Sequence, residues 1–179
     1  AVGMRNEEGE TLESFIHKLG RVPLRYSPGE AWLYSYSTDV CGYLVQAISG
    51  TSFDQYLQTE IFDPLGMTDT GFTVPAEDTT RFAANYARRA DKSLALIDDP
   101  MSSAYLQPKT FFSGGGGLVG TSYDYWRFCE MLRRGGELDG TRILGPRTIE
   151  LMRTNHLPNG GDLSSLALGA FSETAYEGI

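Results

Sequence analysis

Apolar residues recur along this chain in short helical runs, separated by breaks rich in glycine and proline. Leu12, Phe15, Ile16 and Leu19 share one helical face, Thr11 stands where a cap is needed, and Gly20 follows. Pro28-Gly29 marks a tight turn. Trp32, Tyr34 and Tyr36 then alternate in an extended segment that leads into a second helix. Ser37 is the expected N-cap there, and Asp39 lies in the first turn, where the helix dipole favours an anion. Val40, Leu44 and Ile48, four residues apart, are the expected apolar face, and Gly50 the stop.

Ser52 and Gln55 fit a capping box ahead of Phe53, Tyr56 and Leu57, in a helix that ends near Asp63-Pro64. Residues 82–89 and 93–98 read as two short strands around Ala90-Asp91-Lys92, although their alternation is weak. Thr121 and Asp124 form another capping box, for a helix with Tyr125, Phe128, Met131 and Leu132 inward and Gly135-Gly136 at its end. A turn with a short strand is expected over 138–143. Pro146 opens a helix through Met152, and the stretch from Asn155 onward reads as loop. The pattern as a whole predicts a mostly helical α+β chain with too few strands for a complete sheet.

The 179 residues suffice for one domain with a core, and the net charge of −8 argues against nucleic-acid binding. No apolar run approaches the roughly 20 residues of a membrane span. The arginine pairs Arg88-Arg89 and Arg133-Arg134 are isolated and read as solvated. Cys41 and Cys129 are expected as buried free thiols rather than a disulfide framework. No signal peptide is visible, which says little for a chain that begins with Ala1 and is expected to be the middle of a longer protein; the compartment is not legible, with a cytoplasmic location favoured over a periplasmic one. Oligomeric state is not legible, and no cofactor is implied.

Gly115-x-Gly117-x-x-Gly120 matches a dinucleotide fingerprint, but Pro108 and Lys109 precede it where a buried strand is required. No acid ends the next strand candidate either, so consecutive glycines here are read as letting backbone approach backbone, or a ligand, closely. No Gly-x-Ser-x-Gly elbow and no His-Glu-x-x-His motif is present. His17 has no partner at metal-ligand spacing and reads as a surface residue, and His156 as a surface or capping residue. Lys109-Thr110 is followed by Phe111, not by the glycine of Lys-Thr-Gly.

Several of these residues together resemble a known family. Pro23-Leu24, Pro28-Gly29, Trp32, Tyr34-Ser35-Tyr36, Asp39-Val40-x-Gly42 and Ser49-Gly50 look like the serine β-lactamase and penicillin-binding-protein superfamily. The nearer likeness is to its class C β-lactamase-like, family VIII carboxylesterases. Phe62-Asp63-Pro64-Leu65-Gly66-Met67, the 113–117 loop and Gly136-Glu137-Leu138-Asp139-Gly140 extend it along nearly the whole chain. The resemblance implies a serine of Ser-x-x-Lys that attacks an ester or amide carbonyl and forms an acyl-enzyme. Tyr34 matches the first position of the family's Tyr-x-Asn motif and would act as general base. A free tyrosine, with a pKa of about 10, needs a nearby cation for that task, which the family's lysine supplies. Tyr36, Ser113, Gly114 and Gly115 are the implied substrate-binding wall.

Two departures shape the expectation. Tyr36 stands in place of the asparagine of Tyr-x-Asn, which favours ester hydrolysis over strong β-lactamase activity. The chain also contains no Ser-x-x-Lys, Lys-Thr-Gly, His-x-Gly or Trp-x-Gly. It is therefore expected to be a single partial domain over 1–179, the helical middle of a longer protein, with the nucleophile segment and the C-terminal strands elsewhere. By itself it should be inactive. The implied activity of the whole is a serine hydrolase acting on a small-molecule ester. The alternatives are a β-lactamase or D-alanyl-D-alanine carboxypeptidase, and a non-catalytic cell-wall or peptide-binding module.

Overall fold

Helix α1 (Leu12–Leu19) begins as its sequence requires. The Thr11 hydroxyl accepts the Ser14 N–H at 3.2 Å, and the Ser14 hydroxyl accepts the Thr11 N–H at 3.1 Å, which satisfies two orphan donors of the first turn. Leu12 and Phe15 are buried, Ile16 and Leu19 half-buried, and His17 is exposed beside Glu13. The computed structural model describes residues 9–162, so the loop expected beyond 162 lies outside them.

Helix α2 (Ser37–Ser49) differs from expectation at its start and in its inward face. Tyr36, not Ser37, is the N-cap, and Ser37 lies inside the first turn with its hydroxyl 3.2 Å from that of Ser35. The buried positions are Asp39 and Gly42, while Leu44 and Ile48 are 50% and 84% exposed. The four-residue spacing is real, but the inward face is set by what packs on it. That neighbour is the 113–117 loop, which approaches too closely for a leucine. Gly50, in the left-handed region at φ 74°, ends the helix as expected.

The main core is built from the next helical run. Helix α3 (Phe53–Leu57) continues through a π-helical turn (Gln58–Phe62) into α4 (Asp63–Leu65). Ser52 caps α3 by position without a side-chain hydrogen bond, so the capping box read there is not made. Phe62, Leu65 and Met67 pack with Met131 of α5 (Ser122–Arg133) and Leu138, and Leu57, Ile61, Phe128, Leu132 and Ile143 fill the rim. Tyr125, expected inward, is 69% exposed, because α5 turns Phe128, Met131 and Leu132 to the core instead. Cys41 and Cys129 are exposed free thiols, off the inward stripes of their helices, which corrects the expectation of burial. Arg133 and Arg134 both bind Glu130 and hold its carboxyl down at about 2.

Two antiparallel hairpins complete the described chain. Strands β1 (Asn85–Arg88) and β2 (Leu94–Asp98) pair around the expected turn, and β3 (Glu137–Leu138) pairs with β4 (Thr141–Arg142) before α6 (Pro146–Arg153). The fold is thus α+β and mostly helical among the described residues, with two two-stranded sheets. No described helix is long and apolar enough to cross a membrane.

The α5 cap also ties distant chain together. Thr121 caps through the Asp124 N–H, yet the Asp124 carboxylate reaches across to the Asp69 N–H and the Thr70 hydroxyl, both at 2.8 Å. It is 2% exposed. Replacing Asp124 by alanine strands two donors, and a loss of about 2–4 kcal/mol is expected, read as a lower urea midpoint at unchanged slope. A loss below about 0.5 kcal/mol would show that other groups take up these donors.

Candidate functional site

The site is assembled where the N-terminus of α2 meets the segment 110–117. Tyr36, as N-cap, is fixed by its ring, which stands edge-on to Phe15 with centroids 5.0 Å apart. Phe15 makes a second edge contact, 5.3 Å, with Phe111. The next residue, Phe112, contacts Phe72 at 5.1 Å instead. Phe15 of α1 is therefore wedged between the two walls of the site. Thr110 adds a further link, its hydroxyl donating to the Glu10 carbonyl at 2.8 Å.

Ser113 follows, and its hydroxyl is doubly engaged. It donates to Asp39 Oδ1 at 2.5 Å and accepts the Gly115 N–H at 3.0 Å. Asp39 is 5% exposed. Beside this bond the backbones nearly touch: a side chain on Gly114 would put Cβ 2.1 Å from the Thr38 carbonyl oxygen. A Cβ on Gly42 would meet the Gly114 Cα at 3.2 Å. The glycines thus serve close helix–loop approach, as expected from sequence. No strand precedes the loop and Gly120 leads directly to α5, so the dinucleotide geometry is absent here.

A cavity of about 790 Å³ opens between these walls, with Tyr36, Asp39, Ser113, Gly116, Gly117 and Tyr105 in its lining. Lys109 stands at its side, donating to the Ala104 carbonyl at 2.6 Å with its ammonium 5.3 Å above the Tyr105 ring. Phe72, Pro108 and Lys109 also line a second cavity, of about 540 Å³, that reaches Phe82 and Arg81. There the Arg81 guanidinium grips Asp69 and Asp78 and holds the Asp69 carboxyl below the usual range.

Tyr36 and Ser113 share the first cavity, and Gly114 and Gly115 form the backing of its wall against Thr38 and Asp39. Tyr34, two residues ahead of the cap, is 53% exposed and lines neither cavity. Among the described residues no group of three or more His, Cys, Asp and Glu could hold a metal ion. The sequence reading missed Phe15 and Asp39 as site-building residues. Asp39 had a signal, an acid in the first turn beside Tyr36, but its partner lies 74 positions away.

A Beta-lactamase family model matches residues 2–171. The chain belongs to the Beta-lactamase family. It is 38% identical over 149 residues to Protein Rv1367c of Mycobacterium tuberculosis, covering 83% of this chain and 37% of that protein. Esterase EstB of Burkholderia gladioli is 27% identical over 136 residues, 68% of this chain and 34% of the esterase. The solved structure of EstCE1, described as a hydrolase with promiscuous acyltransferase activity, superposes with a TM-score of 0.71 at 29% identity. That match covers 87% of this chain and 43% of EstCE1. This Beta-lactamase family chain therefore spans between 34% and 43% of the length of these three relatives. The family is one of hydrolytic serine enzymes, and the expectation of the serine β-lactamase and penicillin-binding-protein superfamily holds.

Proposed function

We propose that the full-length protein is a serine hydrolase acting on small carboxylic esters through an acyl-enzyme. A serine hydroxyl, supplied from outside this chain, attacks the ester carbonyl and passes its proton to Tyr34, which accepts it as a phenolate paired with the lysine of Ser-x-x-Lys, also outside this chain. The C–O bond to the alcohol breaks, the alcohol leaves with that proton, and the serine is left acylated. Water then attacks the acyl-enzyme, which returns the serine and releases the acid. Proton transfer by a positioned base contributes about 10²–10⁴-fold to such a step.

The observation that carries the ester reading is Tyr36. At the position where Tyr-x-Asn has a carboxamide, this chain presents a phenol ring held edge-on by Phe15, at the side of the 790 Å³ cavity. A carboxamide carries two N–H donors and a separate carbonyl acceptor, whereas a phenol carries a single hydroxyl on a largely apolar ring. An ester, which has no N–H to satisfy, loses less by that exchange. EstB and EstCE1 are related proteins named as an esterase and a hydrolase, which agrees with this reading.

The test is steady-state kinetics of the full-length protein on p-nitrophenyl butyrate and nitrocefin. A kcat/KM higher on the ester by at least about 10²-fold, or some 2.7 kcal/mol of transition-state preference, is expected. A preference for the cephalosporin of that size would sink the proposal.

A further inference from the structure

We propose that Asp39 is a positioning residue for ester turnover, and that Ser113 works on the loop that carries it rather than on the substrate. This inference rests on the hydrolase reading above. A carboxylate that is 5% exposed is costly to bury without hydrogen-bond partners. Asp39 has two sources of compensation. It lies in the first turn of α2, where the helix N-terminus favours negative charge. It also receives the Ser113 proton at 2.5 Å, a length typical of a hydroxyl donating to a carboxylate.

That bond decides what Ser113 can do. Its one proton is committed to Asp39, and one lone pair is taken by the Gly115 N–H. The hydroxyl is left with no proton for a substrate oxygen, and Asp39 is the base that holds it. What the pair does is mechanical. Asp39 is carried three residues behind the Tyr36 cap on one helix, and Ser113 opens the loop whose Gly116 and Gly117 line the same cavity as Tyr36. The Gly114–Thr38 and Gly42–Gly114 approaches lie beside it and leave no room for a side chain between helix and loop, so the hydrogen-bonded chain acts where the two backbones already meet. The Asp39–Ser113–Gly115 chain therefore fixes the width of the cavity between Tyr36 and the loop.

The test compares Asp39→Ala, Asp39→Asn, Ser113→Ala and the double variant Asp39→Ala/Ser113→Ala in the full-length protein, with active sites counted by the acylation burst. Asp39→Ala and Ser113→Ala are each expected to lower kcat/KM for p-nitrophenyl butyrate per active site by about 10- to 100-fold, mainly through KM. The double variant should be no worse than the worse single one, since each change removes the same contact. Asp39→Asn keeps an acceptor oxygen and should recover most of the loss. Hydrogen exchange gives a readout apart from activity: the Gly115 amide should exchange at least about tenfold faster in Asp39→Ala and Ser113→Ala.

Unchanged kcat/KM per active site in either single variant overturns the proposal, as do fully additive losses or an unchanged Gly115 exchange rate. If Asp39→Ala fails to fold, Ser113→Ala carries the same test from the loop side. Wild-type protein without ester hydrolysis would instead defeat the hydrolase reading, and the exchange result would then still report on the Asp39–Ser113 contact.

Discussion

Tyr34→Phe in the full-length protein should lower kcat for p-nitrophenyl butyrate by about 10²–10⁴-fold, with KM changed only a few-fold. The substitution removes one oxygen from a side chain that is 53% exposed, so packing is barely altered and the fold should persist. The loss would then lie in proton transfer, a contact made in the transition state and not in the ground state, which is why kcat and not KM should carry it. Tyr34 sits on the segment that leads directly into α2, and the Tyr36 cap fixes the course of that segment by its contact with Phe15. Turnover within about threefold of wild type would make Tyr34 a structural residue and remove it from the mechanism.

The second large effect is expected at Phe15, which does not line the cavity itself. Its ring is 1% exposed and meets Tyr36 on one side and Phe111 on the other, at 5.0 and 5.3 Å. Phe15→Ala removes a buried aromatic side chain and two edge contacts, and should destabilise by about 3–5 kcal/mol, measured by equilibrium urea unfolding. It should also lower ester kcat/KM in the folded protein, because both walls of the cavity lose their common wedge. Phe15→Leu, which keeps most of the apolar volume, should recover part of the stability but not the ring contacts with Tyr36 and Phe111. A loss below about 1 kcal/mol for the alanine variant would show that α1 is not what holds these walls.

What the sequence made legible follows the range of the interactions involved. Two helix starts were readable because a cap is a contact over three residues: Thr11 with Ser14 and Thr121 with Asp124 are both made, whereas the Ser37 cap and the Ser52–Gln55 box are not. Gly50 could be placed for the same reason, since a left-handed residue ends its own helix. The face of α2 was not readable. Val40, Leu44 and Ile48 have the right spacing for an inward stripe, yet the partner that approaches α2 is Gly114, more than sixty positions from any of them, and it selects Gly42 and Asp39. Tyr125 failed similarly, because α5 buries whichever residues meet Phe62 and Leu65. In the candidate site, Tyr36 and Ser113 were found by resemblance, and the resemblance speaks of residue types at positions. Asp39 and Phe15 act through geometry between distant segments, and nothing local to either announces its partner. The wall glycines fall between the two cases: their number suggested close approach, while the atom approached, the Thr38 oxygen, came only with the fold.

That crowding at Gly114 has a consequence for how such a site can change over time. Of the four consecutive glycines, Gly114 admits no side chain and Gly117 lies at φ 92°, while a Cβ on Gly115 would press on the Thr38 hydroxyl at 2.9 Å. Gly116 alone among them has open space within 4 Å and an ordinary backbone, and it lines the cavity. Variation that reshapes the cavity therefore has one inexpensive entry point in this loop. A library that randomises position 116 and leaves 114, 115 and 117 as glycine varies the cavity lining while keeping the close helix–loop approach, whereas one spread over all four would mostly disrupt that approach.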